Sequence, residues 1–237
     1  MKPYNKIALA ALALFAASTV SAATLQLDFG TSFGDPLDPN TEAPDGTGPY
    51  LTALFDDNDT AGSVTLTLTV ASDVGAAEVT GVYLNVDDLI DVENLTITQA
   101  GGDGPTPLSI GQSTNNFKAA NDGLFDILIE LPPPGADRFG AGETLVFDIA
   151  LAGLVAGDFN YLSAPDPLEV DPSGPFLGAA KFASTGECVV VNEECTYLNS
   201  DWVAPENFPP VPVPAAVWLF GSGLIGLVGI ARRRRKA

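Results

Sequence analysis

The sequence predicts an all-β chain: an antiparallel β-sandwich of about eight strands, preceded by a signal peptide and followed by a single transmembrane helix. Three features carry this expectation. Several stretches alternate apolar and polar residues with period two, the mark of strands with one wet face. Connectors such as DDNDTAG, GGDGPTP, PPPGAD and PDPLEVDPSGP separate them, and the chain holds 24 Gly and 19 Pro. No long stretch of the middle shows a helical period.

The first element, residues 1–22, reads as an export leader. Lys2 and Lys6 precede an uninterrupted apolar run from Ile7 to Ala17, which is short for a membrane span. Val20-Ser21-Ala22 places small residues before a cleavage site, so cleavage is expected after Ala22. A first helix of the domain would have a polar face, and this run has none.

Residues 23–204 form the expected ectodomain. Of the chain's ten cations only Lys118, Arg138 and Lys181 lie within it, whereas all thirty Asp and Glu lie between Asp28 and Glu206. That central region therefore carries a net −27. Such a surface repels phosphate backbones, so nucleic acid is excluded as a partner. The chain has no His. This removes Ser-His-Asp and Cys-His catalysis and His-ligated metals.

Within the ectodomain, Ser63 to Val70 is the clearest strand, with Val64, Leu66, Leu68 and Val70 on one face. It is expected to be paired on both sides. In Leu124 to Leu131, Phe125, Ile127, Ile129 and Leu131 align against Asp126 and Glu130. Thr144 to Leu151 repeats the pattern, and Val79 to Val86 and Leu95 to Thr98 are weaker versions.

Two acidic clusters invite a metal reading. Asp56, Asp57 and Asp59 surround Asn58 in the densest one, and hard cations such as calcium take oxygen ligands from loops of this kind. The EF-hand pattern fails, because Ala61 and Leu68 stand at ligand positions. A polar turn before a strand is the preferred reading and calcium the sharper one. Asp87, Asp88, Asp91 and Glu93 form the second cluster, read the same way. Thirty carboxylates make a glycosidase-like pair almost inevitable by chance, so its presence says little. Aromatic residues for a sugar platform are few: Trp202 is the ectodomain's one Trp, and it lies in the approach to the tail. No enzyme is therefore expected. Cys188 and Cys195, six residues apart in CVVVNEEC, are expected to form a local disulfide in an oxidising compartment.

Residues 205–214 are a Pro-rich linker with Pro205, Pro209, Pro210, Pro212 and Pro214. Ala215 to Ala231 carries no charge and spans roughly 25 Å as a helix, enough for a thin bilayer. Arg232, Arg233, Arg234, Arg235 and Lys236 then stop transfer, in a cytoplasmic tail of residues 232–237. The ectodomain is thus expected outside the membrane.

The motif Val211-Pro212-Val213-Pro214-Ala215, followed by a Gly-rich apolar span and Arg232 to Arg235, resembles the PEP-CTERM sorting domain of Gram-negative bacteria in its VPxPA variants. Val213 stands where that family usually has Glu. The resemblance implies an exosortase-type processing enzyme as partner. It also implies an inner-membrane intermediate and a final place at the cell surface or in an extracellular matrix, alongside exopolysaccharide. Phe55-Asp56-Asp57-Asn58, Val64 to Leu68 and Val82-Tyr83-Leu84-Asn85 are similar, more loosely, to a group of proteins bearing this signal, with Leu84 in place of the usual Phe.

Together these readings predict an exported structural or adhesive component of the envelope or matrix. A calcium- or carbohydrate-binding matrix module is the first alternative, and a secreted carboxylate-dependent glycoside hydrolase the second.

Overall fold

Ser63 to Val70 becomes a strand because its β-branched and Leu residues fill one face of a pleat while Ser and Thr tolerate water on the other. This strand is paired on both sides, as its composition predicts. The computed structural model describes residues 23–33, 40–120, 123–135, 137–168, 174–186, 189–191, 194–197 and 199–205. The expected leader, linker motif, membrane span and basic tail lie outside them.

Twelve strands are present among these residues. They are β1 (Thr24–Ser32), β2 (Leu51–Asp56), β3 (Ser63–Val70), β4 (Glu78–Leu84), β5 (Thr96–Gly102) and β6 (Ser109–Lys118), then β7 (Leu124–Glu130), β8 (Thr144–Ala150), β9 (Gly178–Thr185), β10 (Val189–Val191), β11 (Glu194–Thr196) and β12 (Asn199–Pro205). Ten of them form a single antiparallel sheet in the order β5-β8-β3-β2-β1-β12-β9-β4-β7-β6. β10 and β11 form a separate hairpin. The expectation of about eight strands in two sheets is corrected to one large sheet. Within that sheet, β1, β2, β6, β9 and β12 match none of the alternating stretches named from sequence. Two short 3-10 turns, Val92–Asn94 and Ala156–Phe159, are the helical content of the described residues.

The sheet curls toward closure. β5 and β6 stand at its opposite ends, yet residues 103–108 alone connect them. A connection that short reaches no more than about 25 Å, so the two edges must approach each other. Gln112 of β6 bridges the gap. Its side-chain amide donates to the carbonyls of Val92 at 2.9 Å and Leu95 at 2.8 Å, just before β5.

One face of the curled sheet encloses the core. Phe55, Leu66, Phe147, Val82, Ile127, Ile129 and Phe182, drawn from both halves of the sheet, belong to one buried cluster. Phe159 of the second 3-10 turn stacks on Phe55 with centroids 4.4 Å apart. A smaller cluster lies on the opposite face, where Phe33, Ala119, Phe125, Ala179 and Ala204 are buried against Tyr83, Phe117, Phe176 and Trp202.

Asp126 departs from its expected wet position. It is buried, and its carboxylate accepts hydrogen bonds from the backbone amides of Val86 at 3.1 Å and Asn115 at 2.7 Å. Register shifts in the β6–β7 pairing between Gln112 and Phe117. The carboxylate thus takes up amides that the ladder leaves free. Pro205, placed by sequence in the linker, ends β12 opposite Phe29.

Among the described residues no helix is long and apolar enough to cross a membrane.

Candidate functional site

Of the residues proposed from sequence, Asp56, Asp57, Asp59 and Cys195 fall among the described residues. Val211, Pro212, Val213, Pro214 and Ala215, and Arg232 to Arg235, lie outside the described residues, as does Cys188. Cys195 lies in β11, opposite Val190 in the hairpin register.

Asp56, Asp57 and Asp59 sit at the turn from β2 to β3. The carboxylates of Asp56 and Asp57 are occupied by backbone amides. Asp56 accepts from the Asn58 amide at 2.8 Å. Buried Asp57 accepts from the Ala23 amide at 2.9 Å and the Asp59 amide at 3.3 Å. Asn58 and Asp59 adopt positive φ, which Asn and Asp tolerate better than other side chains. Among the described residues, no group of three or more acidic or Cys side chains converges as a cation site would require.

The second acidic cluster is likewise engaged in local hydrogen bonds. Asp87 accepts from the Leu89 amide at 2.8 Å, and Asp91 accepts from the Asn94 side chain at 2.7 Å. The Tyr161 hydroxyl donates to Asp88 at 3.0 Å, and that bond raises the phenol pKa. Burial raises the Asp158 carboxyl, with Asp87 adding to it and the Val155 amide opposing.

What sequence reading missed is a trough on the outer sheet face. It is a groove of about 600 Å³ across β7, β4, β9 and β12. Antiparallel register builds it. Glu130 lies opposite Gly81, Gly81 opposite Lys181, and Lys181 opposite Trp202, so these residues form one row across four strands. Gly81 has no side chain, which leaves the middle of the row low. A Cβ there would stand 3.2 Å from the Tyr83 ring, so that ring lies across the floor.

The walls are chemically distinct. On one side the Glu130 carboxylate accepts from the Ser109 hydroxyl at 2.8 Å. On the other, the Lys181 ammonium lies 5.6 Å from the Trp202 ring centroid, within cation–π range. Trp202 packs 5.2 Å from Tyr83, and Tyr83 meets Phe125 edge-on at 5.9 Å. These contacts fix the floor ring. Burial raises the Tyr83 phenol pKa, and the Glu130 charge adds to it. The phenol therefore stays protonated and keeps its hydrogen-bond donor at neutral pH.

The trough combines aromatic carbon, a protonated phenol, an ammonium and a carboxylate. Such a set can hold a small polar ligand by stacking and hydrogen bonding. The signal in sequence was weak. Tyr83 and Trp202 are far apart along the chain, and only register makes them neighbours.

A second hollow of about 580 Å³ lies at the β5–β6 connection, among Asp103, Asp137, Arg138 and Glu143. It has no aromatic wall. Its polar groups already serve the fold: Asp103 accepts from the Thr144 amide and hydroxyl, Glu143 accepts from the Gly140 amide, and Arg138 pairs with buried Glu78 at 3.1 Å.

No family model matches the chain, and no curated protein matches it. A solved structure described as "pH-induced modulation of Streptococcus parasanguinis adhesion by Fap1 fimbriae" is similar over 81% of this chain and 100% of that one, at 12% identity and a TM-score of 0.29. A likeness of that size carries no weight for fold or function.

Proposed function

We propose that this chain is an exported structural or adhesive component of the cell envelope or extracellular matrix, and that it binds its partner in the trough floored by Tyr83. The row Glu130–Gly81–Lys181–Trp202 is the observation that supports binding. The leader and the PEP-CTERM-like tail support the destination, with an exosortase-type enzyme as processor.

Carbohydrate is the favoured ligand class. Sugar rings present an apolar C–H face to an aromatic floor and hydroxyls to the flanking charges. An acidic polysaccharide fits poorly, because the central region carries −27. Neutral matrix glycans meet no such repulsion.

The test is calorimetric titration of the full chain with neutral oligosaccharides, after a glycan array selects them. Binding is expected, and Glu130→Gln with Lys181→Ala, both on the trough walls, should abolish it while the melting temperature stays within a few degrees. A blank array sinks the carbohydrate reading. Calcium added in the same calorimeter tests the alternative ligand at Asp56, Asp57 and Asp59. Intact mass of protein from a Gram-negative host tests the routing: a C terminus between Pro210 and Ala216 is expected.

A further inference from the structure

We propose that the chain is matured by hydrolysis of the Ala22–Ala23 bond, and that the new α-ammonium of Ala23 seats on the buried Asp57 carboxylate as a structural ion pair. The cleavage position comes from the small residues Val20-Ser21-Ala22. The seat comes from the fold and is independent of the trough.

Ala23 immediately precedes β1. Its nitrogen lies 2.9 Å from Asp57 Oδ1, and its carbonyl accepts from the Asp57 amide at 3.2 Å. The two residues therefore grip each other at both backbone and side chain. Asp57 is 3% exposed. Ion pairs among the described residues join Lys118 to Asp166 and Arg138 to Glu78, and neither involves Asp57.

Before cleavage the nitrogen facing Asp57 is an amide with one proton and no net charge. An endopeptidase of the signal-peptidase class adds water across the peptide bond. The hydroxyl goes to the Ala22 carbonyl carbon, and the proton goes to the Ala23 nitrogen. At neutral pH that amine takes up a further proton from solvent and becomes an ammonium. It then makes a charge-assisted bond with the carboxylate already in place. A surface pair would gain little, but this carboxylate is shielded from water, where such a bond is stronger.

The position matters for the whole sheet. β1 lies between β2 and β12 and joins its two halves. Processing therefore tightens the central strand, so the mature product is more stable than the precursor. The ammonium end of the ion pair does not exist in the precursor, which couples removal of the leader to consolidation of the fold.

The experiment uses the full precursor exported by a Gram-negative host. N-terminal sequencing of the product is expected to begin at Ala23. A second precursor carries one Ser inserted between Ala22 and Ala23, so that the Ala23 nitrogen stays an amide. Each is made with and without Asp57→Asn, which keeps the acceptor but removes its charge. The product beginning at Ala23 should melt about 3–8 °C above the Ser-extended one, and Asp57→Asn should erase that difference. A different N terminus, equal melting temperatures, or a difference that survives in Asp57→Asn overturns the proposal. If the inserted precursor is not exported, the α-amine of the natural product is titrated with an acylating reagent at neutral pH. A seated ammonium reacts about tenfold more slowly than the same amine in the unfolded chain, as one unit of raised pKa requires. An equal rate overturns it.

Discussion

Asp126 illustrates how single residues hold this fold. Sequence alternation sets it on the wet face of β7, yet it is buried and satisfies two backbone amides, those of Val86 and Asn115. Removing such an acceptor leaves both donors unpaired. Asp126→Ala is expected to cost about 2–4 kcal/mol, and Asp126→Asn clearly less, read by urea denaturation. Asp103 acts more locally. Bonds from the Thr144 amide and hydroxyl lower its pKa. A carboxyl whose folded pKa lies below the unfolded value stabilises fully above the unfolded pKa and loses that contribution as pH falls through the folded one. The stability gap between the natural chain and Asp103→Asn should therefore be full at pH 6, begin to shrink near about 4, the ordinary Asp value, and be lost as the pH falls through the lower folded value. Equal gaps at both ends of an acid titration would remove Asp103 from that role.

At the scale of elements, the near-closure of the sheet depends on what sits between β5 and β6. Gln112 ties β6 to the carbonyls before β5, and Asp103 ties their connecting loop to the start of β8. Gln112→Ala is expected to cost only about 1–2 kcal/mol but to act locally. Hydrogen exchange at residues 92–97 should speed up, while amides of β3, paired on both sides, should hardly change. Gly102 lies in the same region with φ +102. A Cβ there would overlap the Thr144 carbonyl, so Gly102→Val should destabilise by several kcal/mol through strain and displacement of β8. An unaltered denaturation midpoint for Gly102→Val would show that the edge yields without cost.

For the whole molecule, charge sets the behaviour. The chain has a net charge of −20 at pH 7, with the acids concentrated between its ends. Self-repulsion destabilises a compact state, and salt screens it over about 30 Å at 0.01 M but about 8 Å at 0.15 M. Raising sodium chloride between those concentrations should lift the melting temperature by a few degrees. A fall would mean that attractive pairs outweigh the repulsion.

The sequence by itself determined the all-β class, the core-facing side of the strongest strands and the sign of the surface. Period-two alternation in Ser63 to Val70 and Thr144 to Leu151 is local physics: each face sees either core or water, whatever the partner strand. The single ten-stranded sheet, its curl and the trough were decided only by the tertiary structure. Strand order depends on contacts between residues far apart in the chain, such as Phe29 with Pro205 or Lys181 with Trp202. Alternation carries no record of which strand lies next to which. The burial of Asp126 and Asp57 was hidden for a related reason. A carboxylate goes inside only when other segments bring amides to it, and those amides come from Val86, Asn115 and Ala23. A single strand read alone assigns every Asp to water, because desolvation without a partner is too costly.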